Sequence, residues 1–418
     1  MKVAVIGSGI AGLTSALIAH LNGHEVHLYE KNNYFGGHSN TVQFFDGTQE
    51  IPVDTGFLVH NTKTYPNLIK LFEYLNVQTT ESDMTLSIKN LKDHLEWGGR
   101  DLKSVFIQKR NFFRPGFYRL IFDILKFNKA ASSYLKIALS DKNMTLGDLL
   151  QRYAYSQELK NWYLVPMAAA IWSTPADKIL DFPAWTFLQF CLNHHLLQIN
   201  DRPQWRTIPG GSKVYVQKIV DLISYKWTGV HIDKIIRTPQ SFEVHHNNQI
   251  DKFDIGIMAT HADQSLFLIE DITDHEKMIL SHFKFQKNKA VLHTDESILP
   301  DRNYIWSAWN YLSHHQSDHV CVSYLINKLQ PIATKKNVIV TLNPDFADVS
   351  ENKIDRSIEY EHPLFDNKTV QAQADIPLIQ GKKSTYYVGA WQGYGFHEDG
   401  VNSALKIAQH LHWKIPWK

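Results

Sequence analysis

Cysteine is almost missing from this chain. The two present, Cys191 and Cys321, lie far apart and outside any CxxC pair, which excludes a disulfide framework and a thiolate zinc site and predicts a reducing, cytoplasmic setting. An excess of one charge is missing too. Lys and Arg number 43 against 42 Asp and Glu, a formal net charge of +1, too balanced for a nucleic-acid footprint. No run approaches the roughly 18 consecutive apolar residues of a spanning helix. Met1-Lys2 leads directly into Val3-Ala4-Val5-Ile6 without a charged leader or apolar signal region, so the expected membrane contact is at most peripheral, at the inner face. Histidine is plentiful at 22 residues, yet neighbours in the pairs His194-His195, His245-His246 and His314-His315 do not face one site, and HExxH is absent. No metal is expected. GxSxG is absent as well, so Ser8 is not a hydrolase nucleophile.

What is present points to a sizeable folded core. With 44% hydrophobic and 12% aromatic residues over 418 positions, the chain has material for two or three domains. Val3 to Ile6 reads as a strand, Gly7 to Gly12 as a glycine turn, Leu13 to Leu21 as a helix and Glu25 to Glu30 as a second strand. Gly7-Ser8-Gly9-Ile10-Ala11-Gly12 therefore fits GxGxxG between a strand and a helix, the setting in which that pattern binds a dinucleotide. Gly7 permits the tight turn, Gly9 lets backbone approach a pyrophosphate, and Gly12 lets the helix pack on the strand. The helix N-terminus offers the phosphates free N–H groups. Glu30 follows about 20 residues later, where an acid accepts ribose hydroxyls. A second glycine pair, in Tyr34-Phe35-Gly36-Gly37-His38-Ser39, favours FAD over a nicotinamide cofactor, because a longer cofactor continues past the first turn.

Further along, Asn67 to Leu75 reads as a helix, Trp97-Gly98-Gly99 as a turn, and the middle region as mostly helical. Strand-like runs at Val230 to Ile236, Phe242 to His245 and Phe253 to Ala259 follow. Lys289 to His293 and Val320 to Ile326 suggest a second sheet, and Tyr386 to Ala390 leads into a helix over Gly400 to Leu411. With no repeat or linker, the domains are expected to interleave.

The combination of GxGxxG, Glu30, Gly36-Gly37 and Tyr387-Val388-Gly389-Ala390-Trp391 through Gly400 resembles the FAD-dependent amine-oxidase superfamily, which includes protoporphyrinogen oxidases and carotenoid desaturases. Val53-Asp54-Thr55-Gly56-Phe57, Leu292-His293-Thr294-Asp295 and Gly393 to Gly400 more closely resemble a bacterial branch of predicted NAD/FAD-binding oxidoreductases associated with cyclopropane-fatty-acid-synthase-like methyltransferases. The resemblance implies an α/β fold: a Rossmann-like FAD-binding domain over 1–66, 205–263 and 384–418, interleaved with a helix-plus-sheet substrate domain over 67–204 and 264–383. It implies an apolar or lipid substrate, oxidised or desaturated by hydride transfer to flavin, with a methyltransferase as candidate partner. Amine oxidation and a lipid-binding role with structural FAD stand as alternatives. The candidate cofactor contacts are Gly7, Ser8, Gly9, Ile10, Ala11, Gly12, Glu30, Lys31, Gly36, Gly37, His38, Ser39, Asp54, Thr55, Gly56, His231, Ile232, Thr260, Trp391, Asp399, Gly400 and Val401. Val230-His231-Ile232 would pass the adenine, Thr260 would end a strand beneath the cofactor, and Asp399 with Gly400 would open a helix aimed at the flavin, Asp399 alternatively being its N-cap.

Two residues are candidates for catalysis. Lys289, like Lys287, falls where amine oxidases carry a lysine near the flavin, with a solvated surface role as the alternative. His397 falls where they carry a substrate-flanking aromatic ring. A histidine poised near neutrality suits a general base, with Glu398 to orient it or to bind cofactor; a structural histidine is the alternative. The stretch from Lys103 to Phe127 interleaves cations with large rings. That pattern fits a helix packing its rings inward and exposing its cations, with peripheral contact with anionic lipid as the alternative. Trp162 to Trp172 and Trp185, Phe187 and Phe190 are candidates to line an acyl tunnel or to fill a core.

Overall fold

Small and β-branched side chains alternate through the first strand, and the two faces they create are both buried. In the computed structural model, which describes all residues except 173–175, 199–202, 239–240, 314–320, 345–346, 348 and 418, that strand is Lys2–Ile6 (β1). It turns at Gly7 into a helix, Ile10–Leu21 (α1), and the chain returns as Glu25–Tyr29 (β2). Tyr225–Trp227 (β3), Ile255–Met258 (β4) and Thr385–Tyr387 (β5) complete a parallel sheet in the order β3-β2-β1-β4-β5. Val3 and Val5 pack with α1 and the last helix, His397–His410 (α2). Ala4 and Ile6 point the other way, into a core shared with a three-stranded antiparallel sheet, Ile232–Arg237, Phe242–His246 and Gln249–Phe253. The result is three layers: helices, parallel sheet, antiparallel sheet.

A mixed seven-stranded sheet forms the second layer system. Its order is Ile354–Leu364, Lys284–His293, Ile339–Leu342, Cys321–Leu325, Trp309–Ser313, Leu86–Asn90 and Leu95–Gly98. The largest core lies between this sheet and the helices Pro115–Ser140, Leu146–Arg152, Val165–Trp172 and Ala184–Asn193. Phe187 and Phe190 are buried in it, as are Leu164 to Ala170 and Trp172, with Trp162 packed against its edge. The expected turn at Trp97-Gly98 is instead the end of a strand in which Trp97 pairs with Ile88. His314-His315 and Val320 lie outside the described residues. No helix among the described residues is long and apolar enough to cross a membrane.

Candidate dinucleotide site and the junction beside it

The turn after β1 begins with a backbone hydrogen bond. Gly7 donates its N–H to Tyr29 O at 2.8 Å and sits at φ +103°, where a Cβ would lie 2.7 Å from Ala259 O. No side chain caps α1. A Cβ on Gly9 would meet nothing within 4 Å, whereas one on Gly37, at φ +59°, would lie 3.0 Å from the Gly9 Cα. The two glycine loops thus run side by side, and the space above Gly9 stays open at the positive end of a helix, as an anion requires. Ser8 ties them together: its N–H and hydroxyl donate to Glu30 Oε2 at 3.0 and 2.6 Å, and its Oγ accepts from Gly36 N at 3.1 Å. Glu30 Oε1 accepts from Asn32 N at 2.8 Å. Lys31 is exposed.

The second helix end arrives through close packing. A Cβ on Gly400 would lie 2.6 Å from Ile10 Cγ2, so the first turns of α1 and α2 touch. Val401 is fully buried behind them. α2 begins at His397, and Asp399, its third residue, accepts at Oδ2 from the N–H of Tyr394 and of Phe396, both at 3.0 Å. Burial pushes that carboxyl up to about 7. Glu398 does not turn toward His397. It accepts from Asn67 N and Leu68 N at 3.1 and 2.9 Å, serving the first turn of the helix Pro66–Tyr74.

Beyond Gly37 the cradle meets the seven-stranded sheet. The His38 ring stacks on Tyr360, centroids 4.9 Å apart, and lies 5.1 Å from His362; His362 Nδ1 bonds Asn288 Nδ2 at 2.8 Å. Tyr360 hydroxyl accepts from Asn40 Nδ2 at 3.0 Å and bonds Thr55 Oγ1 at 2.7 Å. His261 stacks on Phe285 at 4.1 Å and bonds Glu361 at 3.2 Å. Burial, with His261 nearby, lowers His362 to about 4, and His38 lies well below the usual imidazole range because it too is buried among histidines. Both rings are deep in the molecule and still keep accessible surface, which is the signature of a cleft wall. His38 Nε2 is a buried nitrogen with no protein partner.

Several sequence candidates take other roles. His397 Nε2 bonds Ser39 Oγ at 2.8 Å, the same hydroxyl that bonds Tyr215, and its ring stacks on Phe57 at 3.7 Å. Burial lowers His397 to about 3, which removes the neutral titration a general base would use. Lys289 and Lys287 share the exposed side of Lys284–His293, because residues two apart on a strand face alike, and Asn288 between them faces inward. Asp54 is saturated: it accepts from Thr41 Oγ1 at 2.5 Å, Ser212 N at 2.9 Å, Ser212 Oγ at 2.8 Å and Gln330 Nε2 at 2.7 Å. Burial still raises it to about 6. A Cβ on Gly56 would strike His38 O at 2.3 Å, so Gly56 lets Phe57 N–H reach that oxygen at 2.7 Å. Val230 N donates to Glu30 O at 3.0 Å, while His231 is exposed and the strand begins at Ile232. Thr260 follows β4 and offers its carbonyl to Trp391 Nε1 at 3.2 Å, which fixes the buried Trp391 ring. The sequence reading missed Asn288, Tyr360, His362 and His261. The only local signal was the alternation of Glu359-Tyr360-Glu361-His362, which places Tyr360 and His362 on one face.

Comparison with known proteins matches this geometry. Residues 5–75 match the NAD(P)-binding Rossmann-like domain. Over the whole chain, a CLA-producing fatty acid isomerase from P. acnes superposes with a TM-score of 0.69 at 13% identity, covering 98% of each chain. The fold is amine-oxidase-like. Putrescine oxidase bound to putrescine gives the same fold at a TM-score of 0.70 and 12% identity, covering 99% of each chain. A 4,4'-diapophytoene desaturase of Staphylococcus aureus is 49% identical over 43 residues, which is 10% of this chain and 9% of the desaturase.

Proposed function

We propose that the chain is an FAD-dependent oxidoreductase that takes a hydride from an apolar, lipid-derived substrate. The observation that carries the reading is the second glycine loop beside the first. Glu30 and the open space over Gly9 stand against Gly37, and the chain goes on from there to His38, whose buried Nε2 has no protein partner, at the second sheet. A nicotinamide site has no use for that extension; a flavin dinucleotide has. Glu30 would hold the ribose, the first turn of α1 the pyrophosphate, and the first turn of α2 would face the flavin. Bound flavin supplies a two-electron acceptor for hydride.

The protein side chains beside this cradle orient and exclude water. Neutral His397 fixes the Ser39 hydroxyl and stacks against Phe57. Phe396 stacks on Phe190 at 5.0 Å, and His194, lowered to about 4 by burial, stacks on Phe190 at 3.9 Å and lies 5.9 Å from Phe396, so the three rings form one cluster. Uncharged rings of this kind suit an apolar substrate and offer no carboxylate to an ammonium. The fatty acid isomerase and the diapophytoene desaturase, by their names, act on molecules of that class.

The test is anaerobic spectroscopy of the purified protein, alone and with lipid extract in detergent. Flavin bands that bleach on adding lipid are the expected result. Bands that persist with lipid but bleach with amines would replace the substrate class. Bands that no reductant of either class bleaches would leave a lipid-binding protein with structural flavin, a candidate partner for a methyltransferase, and absence of flavin would end the reading.

A further inference from the structure

The long helix Pro115–Ser140 fills its core face completely. Phe117, Leu120 and Phe127 are each no more than 1% exposed, so inward packing is already satisfied without the remaining rings. Phe122 of this helix is 67% exposed, and in the segment before it Phe113 is 87% and Leu102 79% exposed. Tyr118, Phe122 and Leu125 are spaced four and three apart, which places them on one helix face. The preceding segment is pinned beside that face, because Tyr118 hydroxyl donates to Phe112 O at 3.0 Å and Phe106 stacks on Phe112 at 4.5 Å. Phe106, Phe112 and Tyr118 are thus tied together, and the exposed Phe113, Phe122 and Leu125 accompany them on the same segment as an apolar ridge.

The ridge is set in positive charge. Residues 102–140 carry eight Lys and Arg and a single acid, Asp123, which is buried and accepts from Ser156 N at 3.0 Å. The whole chain is only +1, so this segment carries far more than its share of positive charge, with Arg119 paired to Glu158 at 2.6 Å. Lys109, Arg110 and Lys129 are exposed at the flanks.

We infer that this face, Leu102 to Leu125 with its flanking cations, docks on an anionic lipid bilayer. Protruding rings enter the boundary between headgroups and acyl chains, while lysines and arginines remain at the level of the lipid phosphates. The anionic cytoplasmic leaflet attracts such a segment. A second copy of the chain fits less well, since a two-fold contact would set this cationic face against itself. The inference stands on the surface and not on the reaction proposed above.

The experiment is co-sedimentation of the full chain with vesicles of phosphatidylcholine, alone or mixed with an equal part of phosphatidylglycerol, together with gel filtration. Binding to the mixed vesicles is expected to exceed that to phosphatidylcholine by roughly tenfold or more and to fall with added salt. The surface variant Phe113→Glu with Phe122→Glu is expected to lose roughly tenfold or more in vesicle binding while its melting temperature is unchanged. No binding to the mixed vesicles, binding indifferent to lipid charge, or binding unaltered in the variant would each overturn the inference. So would a dimer that the variant converts to monomer. No turnover is measured, so a failed oxidation assay leaves this result intact.

Discussion

Glu30 and Asp54 are both buried carboxylates, and their hydrogen bonds separate their roles. Glu30 accepts twice from Ser8 at Oε2 and once from Asn32 at Oε1 and stands at the end of β2 beside the open glycine turn, so about one acceptor site, on Oε1, remains for a ribose. Glu30→Gln keeps the shape and removes the charge. By the ~1.5–3 kcal/mol of a hydrogen bond to a charged group, flavin affinity is expected to fall about tenfold to a hundredfold, read from flavin release on dilution. Unchanged affinity would take Glu30 out of the site. Asp54 has no such reserve, since Thr41, Ser212 and Gln330 occupy both oxygens. Asp54→Ala strands those donors and is expected to cost about 3 kcal/mol in urea unfolding, with flavin stoichiometry in the folded protein unchanged. A variant that folds as firmly as the parent but loses flavin would show that Asp54 holds the cofactor after all.

Between elements, what decides the site is how closely backbones approach. Gly37→Ala would press a Cβ to 3.0 Å from the Gly9 Cα at a φ of +59°, a left-handed position costing roughly 1 kcal/mol or more for a residue with a side chain. The strain lies between the two loops and not in the core. The expected outcome is a folded protein with a clearly lowered flavin content, measured as absorbance per protein; full flavin content would show the loops free to part. This part of the molecule was legible in the sequence because it is local: strand, glycine turn, helix and acid follow one another within thirty residues, and Gly7 and Gly12 each answer a steric demand there while Gly9 leaves space open. The rest was hidden by distance and parity. β3 is three residues long and makes sense only beside β2; Leu86–Asn90 forms a hairpin with Leu95–Gly98 and joins the sheet through the distant Trp309–Ser313. Asn288 lies between two lysines that carry the charge, while the face it occupies is set by pairing with the distant strands 339–342 and 354–364.

Across the whole molecule, burial of imidazoles sets the response to acid. His60, His194, His293 and His362 are each lowered to about 4 and His397 to about 3, in every case first by burial. In the unfolded chain an imidazole titrates near 6.5. Between these values the unfolded state binds protons that the folded state refuses, so this stabilisation is whole above pH 6.5 and is lost as pH falls through 4. Asp54 and Asp399 act in the opposite sense. Raised to about 6 and about 7, they stabilise the fold below their unfolded values and lose that contribution as pH rises through their folded ones. Five histidines outweigh two carboxyls, so the melting temperature is expected to fall steadily on going from pH 6.5 to 4.5, followed by calorimetry in buffers of constant ionic strength. In His362→Gln, which retains a polar group facing Asn288 but cannot take the proton, the fall should be shallower. A melting temperature that is level or rises toward pH 4.5 would mean that these rings are already reached by water and protons in the folded state, and that the cleft wall around His38 and His362 is far wetter than its packing indicates.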